Sequence, residues 1–363
     1  MQASPPWQTP GNREKTDTMT QKKLSIQEIA HLANVSKTTV SRVINHKPDV
    51  KPETRQMIED IINANHYYPN ALAQAFSQQK NRTVALVLSN HEAYVLSNPY
   101  YAELIQGIMQ KARERNYHLI LSYFSEDDCF ALVRQHQCDG VLVLTPDSTH
   151  REKLEELIEM NIPVVSTARV PGMTDLHYVA VDEYSAACKI VEHVLLLGHR
   201  KVGVINGPKP LYSTSARMRG YRAALKKHGI AFRPEIVTYG DTTPESGRDN
   251  MKKLLETDGG ITAVFVCSDM MAIGAKKAIE ERGMRVPDDI SLISTDATAI
   301  GGCLDAPLTT MKQPTIRRGE LAMQMLVDLI EGREVPMSTM LPMDIVIRKT
   351  TAAPHSDPEG RRK

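Results

Sequence analysis

The side chains most able to do chemistry gather near the amino end. Between Thr20 and Arg82, nine Lys or Arg stand against five Asp or Glu, a net of +4 in a chain whose formal total is +1. The remainder is therefore slightly acidic. A small basic region beside a large acidic body suits contact with a polyanion, although a merely solvated basic face would carry the same charge. Inside this region, residues 25–45 read SIQEIAHLANVSKTTVSRVIN. Ser25 and Glu28 have capping-box spacing, and Ile26, Ile29, Ala30 and Ala33 fall on one helical face. Asn34-Val35 supplies a tight turn, Ser36 caps a second helix, and Val40, Val43 and Ile44 face back to the first. Two short helices crossing closely at Ala30 and Ala33 predict a helix-turn-helix. Such a unit also occurs as plain packing, but its second helix can enter a major groove amino end first.

Elsewhere the catalytic vocabulary is missing. The chain has no G-x-G-x-x-G after a strand, no Walker A loop, no G-x-S-x-G elbow and no H-E-x-x-H, and its twelve histidines are scattered. His193 and His199, at a helix end before a strand, read as structural. The five cysteines (Cys129, Cys138, Cys188, Cys267 and Cys303) form no C-x-x-C pair and are odd in number, against both a disulfide framework and a zinc site. Buried or inert thiols in a reducing cytoplasm are expected, with no enzyme activity, no catalytic residue, no cofactor and no metal.

The elements that position these residues follow from pattern. Pro52 opens a third helix whose face Ile58, Ile61 and Ile62 closes a small core. Pro69-Asn70 then precedes a short helix, Asn70–Phe76, which cannot be stable alone and needs a partner or DNA to order it. Beyond Thr83, short apolar runs alternate with amphipathic stretches, as in βαβ units with a parallel sheet. The runs are Val84–Ser89, His118–Tyr123, Gly140–Leu144, Pro163–Ser166, Tyr178–Val181, Val202–Asn206, Glu235–Tyr239, Ala263–Cys267 and Ser291–Ser294. These nine are too many for one comfortable sheet, so two doubly wound lobes with a ligand cleft at the carboxyl ends of their strands are expected. A length of 363 residues allows such a division. Apolar runs never exceed five residues, far short of a membrane span, and no secretory signal opens the chain. The expected organisation is a disordered leader (1–21), a helix-turn-helix DNA-binding domain (22–68), a hinge helix and linker (69–82), a two-lobed effector-binding and dimerisation domain (83–352) and a polar tail (353–363).

These features together resemble the bacterial transcription regulators of the lactose-repressor (LacI/GalR) family. The resemblance is carried by VSKTTVSRVIN, by Y-x-P-N-x-x-A at Tyr67–Ala73, by HVLLLGHRKVGVINGP at 193–208, by VPDDISLI at 286–293 and by LTTMKQP at 308–314. It spans residues 22 to about 352. It implies an all-α helix-turn-helix head on an α/β body with two doubly wound parallel-sheet lobes of the type I periplasmic-binding-protein-like kind. It further implies a cytoplasmic repressor that binds a near-palindromic operator as a homodimer under the control of a small effector. A free-standing ligand carrier, the alternative, would need a signal peptide and has no use for such a head.

The resemblance implies roles residue by residue. Lys37, Thr38 and Arg42 face base edges, and Arg42 has the chemistry for bidentate bonds to guanine. Ser36, Thr39, Asn45, Asn70 and Gln74 contact phosphates. Leu72, Ala73 and Phe76 enter the minor groove, with Phe76 standing where the family usually has a wedging leucine; the alternative for Phe76 is a contact between hinge and body. Tyr100, Tyr101, Arg217 and Asp296, with Ser213 and Ser268 as weaker candidates, line the effector cleft. Two departures bear on the ligand. Ala168-Arg169 replaces the Asp-Arg of many sugar-responsive members, and Ser294-Thr295-Asp296-Ala297 replaces Gly-aromatic-Asp-Asp/Asn. A carbohydrate is the first expectation for the effector, followed by a phosphorylated sugar, a sugar acid or a nucleobase.

Overall fold

The computed structural model describes residues 24–44, 47–65, 67, 81–89, 92–125, 128–257 and 260–355. The chain divides into two compact units, the first ending at Gln79 and the second beginning at Lys80.

The first unit contains α1 (Ile26–Leu32), α2 (Lys37–Ile44) and α3 (Pro52–Ala64). Ile29, Ala30, Ala33, Val40, Val43 and Ile58 form its buried centre, with Ile61 and Ile62 packed against them. The sequence periodicity therefore corresponds to the observed core face. The expected hinge helix Asn70–Phe76 lies outside the described residues, as do the leader and the tail beyond His355.

The second unit has two lobes. The chain enters the first as β1 (Thr83–Leu88), α4 (Glu92–Ser97), α5 (Pro99–Glu114), β2 (His118–Tyr123), α6 (Cys129–Arg134), β3 (Gly140–Leu144), α7 (Arg151–Glu159), β4 (Val164–Ser166) and β5 (His177–Val181). It passes to the second through α8 (Glu183–Leu196), β6 (Val202–Asn206), α9 (Tyr212–Lys227), β7 (Val237–Tyr239), α10 (Pro244–Thr257), β8 (Ala263–Val266), α11 (Asp269–Glu281), β9 (Ser291–Asp296), α12 (Ala299–Gly302) and β10 (Thr309–Lys312). It then returns to the first lobe with α13 (Thr315–Ile330) and β11 (Ser338–Leu341) and ends in the second with β12 (Asp344–Val346). The chain thus crosses between lobes three times.

Each lobe is built on a six-stranded sheet, in the orders β11-β5-β4-β3-β1-β2 and β12-β10-β9-β8-β6-β7. Every pairing is parallel except β10 with β12. Helices cover the faces, so central strands such as β3, GVLVL, are buried throughout and read as continuous apolar runs. Strand order reverses beside β1 in one sheet and beside β6 in the other. Those reversals open a crevice at the carboxyl ends of the strands, where doubly wound sheets bind ligands.

Nine apolar runs were expected, and the described residues contain twelve strands. The three additional ones, β10 to β12, are short and carry polar residues, and those of β10 have internal partners: the backbone N–H of Thr309 donates to the Thr350 hydroxyl at 2.8 Å. The run expected at Glu235–Tyr239 becomes a strand only at Val237, because Pro234–Ile236 form a 3₁₀ turn. Pro234 has no N–H for a ladder. Glycines on both α5 and α13 allow these two helices to approach closely. A Cβ on Gly107 of α5 would overlap the carbonyl oxygen of Ile316 on α13, and one on Gly319 would overlap that of Leu104. Among the described residues no helix is long and apolar enough to cross a membrane. Cys129, Cys138 and Cys267 are buried, Cys188 is half-buried and Cys303 is exposed.

Candidate functional site

In the first unit, the capping box forms as its spacing requires. The Ser25 hydroxyl accepts the Glu28 N–H at 3.3 Å, and Glu28 Oε2 accepts the Ser25 N–H at 2.6 Å. After α1, Asn34 takes a left-handed φ of 49°, a conformation Asn tolerates better than most residues. Val35 N–H closes the turn onto the Ala30 carbonyl at 3.0 Å. Ser36 Oγ then accepts the Thr39 N–H at 3.1 Å and caps α2. With Val40 and Val43 turned inward, Ser36, Lys37, Thr38 and Arg42 stand exposed and Thr39 is half-buried. Arg42 Nη1 lies 3.3 Å from Asp49 Oδ2, and both side chains are more than half exposed, so the pair is a weak tether. Asn45, Asn70, Leu72, Ala73, Gln74 and Phe76 lie outside the described residues.

In the second unit, a cavity of about 310 Å³ occupies the crevice between the lobes. Tyr100, Tyr101, Ser213, Arg217, Ser268 and Asp296 all line it, so side chains far apart in sequence meet at one place. Asn98 caps α5 by accepting the Tyr100 N–H at 3.1 Å, which orients the two tyrosines. Their rings stand edge to face, with centroids 5.1 Å apart. Tyr101 is buried with its hydroxyl 2.9 Å from that of Thr145, whereas Tyr100 is half-buried. Ser268 accepts the Met271 N–H at 3.1 Å and so caps α11, while Ser213 is half-buried in the first turn of α9.

Arg217 is buried against Glu183, donating from Nε at 2.7 Å and Nη2 at 3.0 Å, and its Nη1 donates to the Cys267 carbonyl at 3.1 Å. Burial opposes its charge, but the facing Glu183 outweighs that and raises its pKa. Asp296 ends β9 with φ of 123°, a strained conformation for any residue with a Cβ. It is held there by the Gln313 side-chain amide, which donates to Oδ1 at 2.7 Å, and by the Asp269 N–H, which donates to Oδ2 at 3.2 Å. Burial and the neighbouring Asp269 carboxylate push the Asp296 pKa well above the usual carboxylate range. Asp269 is itself raised by burial, against hydrogen bonds from Ser294, Thr298 and Thr310.

Sequence reasoning missed several residues of this wall. Glu183, Gln313 and Arg318 line the cavity, and Asp269 braces it from behind. Arg169 and Tyr212 also line it: Arg169 Nη1 donates to the Tyr212 hydroxyl at 3.1 Å, and its Cζ lies 4.8 Å from that ring. Beside them, Ser148 N–H donates to the Pro210 carbonyl at 3.3 Å, so the lobes touch across the mouth. One signal was available for Arg318. Its helical spacing sets it on the same face as Thr315, Ala322 and Leu326, an apolar stripe that leaves a charge enclosed. Among the described residues no cluster of three or more His, Cys, Asp or Glu could hold a metal. His199 is structural: Nε2 is 2.8 Å from the Ala352 carbonyl and Nδ1 2.8 Å from the Thr262 hydroxyl.

Known proteins match both units. The family described as bacterial regulatory proteins, lacI family, matches residues 25–70, and a periplasmic binding protein-like domain matches residues 191–351. Catabolite control protein A of Priestia megaterium is 32% identical over 336 residues, covering 90% of this chain and 99% of that protein. A lac repressor dimer bound to operator and the anti-inducer ONPF superposes with a TM-score of 0.80 at 27% identity, covering 92% of this chain and all of that one. A complex of the transcriptional regulator CelR with cellobiose gives a TM-score of 0.70 at 29% identity, covering 90% of this chain and 99% of the other. These relatives are regulators of transcription, not enzymes.

Proposed function

The chain belongs to the lacI family of bacterial regulatory proteins, DNA-binding transcription regulators with an effector-binding domain, and on that premise we propose that it is a cytoplasmic repressor that binds a near-palindromic operator as a homodimer. A carbohydrate or sugar derivative in the cleft controls that binding. The observation that carries the reading is the cavity at the strand-order reversals of both sheets, where groups from both lobes converge. A ligand bridging them would fix the angle between the lobes, and only such a difference in affinity between arrangements can change affinity for DNA. That CelR has been seen with cellobiose supports a sugar-like ligand.

In this reading Lys37, Thr38 and Arg42 read bases, while Ser36, Thr39, Asn45, Asn70 and Gln74 hold phosphates. Leu72, Ala73 and Phe76 enter the minor groove at the operator centre. Tyr100, Tyr101, Ser213, Arg217, Ser268 and Asp296 contact the effector. A homodimer is favoured by an apolar groove on α4 and α5 of the first lobe, where Leu96 is 66% and Met109 51% exposed beside Val95 and Ile105. The relative bound to operator is also a dimer. Selecting genomic fragments with the purified protein, with and without candidate sugars, tests the whole reading. The expected product is a two-fold symmetric site whose recovery changes with a sugar. Recovery of random fragments, or of single half-sites by a monomer, would refute it.

A further inference from the structure

The cleft contains two buried arginines in opposite states. Arg217 is paired with Glu183 through two hydrogen bonds. Arg318, on α13 of the first lobe, is only 3% exposed, yet no ion pair to a carboxylate is formed among the described residues. Its Nη1 donates to Gln313 Oε1 at a long 3.4 Å and its Nη2 to the Tyr100 hydroxyl, while Nε has no hydrogen-bond partner among the described residues. The guanidinium carbon lies 5.2 Å from the centre of the Tyr100 ring. Burial pushes its pKa down to about 10, so it is still a cation at neutral pH. A buried charge without a counter-ion is an expensive arrangement, and a planar guanidinium is the side chain best matched to a carboxylate or phosphate.

Its surroundings favour the same class of guest. Because the Tyr100 oxygen accepts from Arg318, the tyrosine's own O–H is left to donate. This edge of the cavity is therefore rich in donors, while Asp296 and Glu183 place carboxylates on the other lobe. The hydroxyls of a neutral sugar would satisfy donors but would leave the charge on Arg318 unbalanced. We propose that the effector is a hydroxyl-bearing small molecule with an anionic group, a carboxylate or a phosphate, which docks on Arg318 and Tyr100 while its hydroxyls face the second lobe. This rests on the cleft being the effector site.

Full-length wild type, Arg318→Met, Arg318→Lys and Arg217→Met proteins can be melted at constant ionic strength with three sets of probes. These are neutral sugars (glucose, cellobiose), sugar acids (gluconate, glucuronate) with sugar phosphates (glucose 6-phosphate, fructose 6-phosphate), and the bare anions acetate and phosphate. Anionic probes should raise the melting temperature of the wild type, with the better of acid and phosphate naming the group. Arg318→Met should weaken that binding at least about tenfold and Arg318→Lys less, the loss of one charged contact. If only neutral sugars bind, equally to wild type and Arg318→Met, the anion assignment fails and the cleft reading survives. If binding is indifferent to both Arg318→Met and Arg217→Met, the effector site lies elsewhere and both fail. If no anion stabilises the wild type more than Arg318→Met, the proposal is overturned.

Discussion

Arg217 and Glu183 form a two-pronged ion pair on the second-lobe wall of the cleft, with N–O distances of 2.7 and 3.0 Å and side chains 10% and 8% exposed. Glu183 comes two residues after β5 ends, so the pair also anchors a crossover between the lobes. Arg217→Ala is expected to abolish the effector response, but it also leaves a buried carboxylate alone, at a cost of about 3–5 kcal/mol. Combining Arg217→Met with Glu183→Gln should restore much of the melting temperature without restoring the response. Operator titrations with and without effector measure the response. A wild-type response in Arg217→Ala would remove Arg217 from the effector contacts.

Arg42→Ala should reduce preference for operator over random DNA by roughly 5- to 150-fold, the worth of one good base contact. Weak, salt-dependent binding should remain, because phosphate contacts survive. Stability should hardly change, since the pair with Asp49 is exposed. Competition binding at two salt concentrations reads both quantities, and undiminished selectivity would show that Arg42 does not read bases.

Gly319→Ala drives a methyl group into the Leu104 carbonyl at the crossing of α13 and α5. The expected cost is about 1–3 kcal/mol or more, visible as a lower melting temperature. Since α13 carries Arg318 and α5 carries Tyr100, effector binding should weaken together with stability. A variant with wild-type melting and wild-type effector affinity would mean that the helices can separate freely.

Acid should act on the second unit through His199. The Ala352 carbonyl can only accept, so Nε2 carries the proton and Nδ1 accepts from Thr262. Burial lowers the pKa of His199 below the ordinary 6.5. The unfolded chain then takes up a proton more readily than the folded one, so this stabilising contribution is complete above about pH 6.5 and is lost as pH falls through the lower folded value. Asp269 and Asp296, with raised pKa values, act in the opposite sense, their contributions growing as pH falls. The comparison is therefore between wild type and His199→Gln, whose melting temperature should rise relative to that of the wild type as pH falls from about 7.5 to about 5.5. Parallel slopes would exclude His199 as the cause.

What could be read in the sequence was what is local. Ser25, Glu28 and Ser36 act within three residues of their partners, so the two helices and their turn were visible in a string of twenty-one letters. The buried strands were equally visible, because β3 must be apolar on both faces. Tyr100, Arg217 and Asp296 were reached through family resemblance, and the fold brings all three to one cavity. Gln313 escaped notice because its importance comes from sitting at a crossover, where it links Arg318 of one lobe to Asp296 of the other. Strand β10 was missed because its threonines are satisfied by residues about forty positions away, such as Thr350 and Asp269.

The interleaving of the lobes has a consequence for biosynthesis. The three-helix core of the head comes off the ribosome early and needs nothing from the second unit to close it, but the sheet of the first lobe waits for β11, made only after nearly the whole second lobe has been synthesised. Until then, the grooves destined for α13 and β11 stand open on a nascent chain. A message truncated between the end of the head and Ser338 would thus yield the three helices of the head on a body with neither lobe complete. The same topology prevents either lobe from being cut out, duplicated or exchanged as a single stretch of gene.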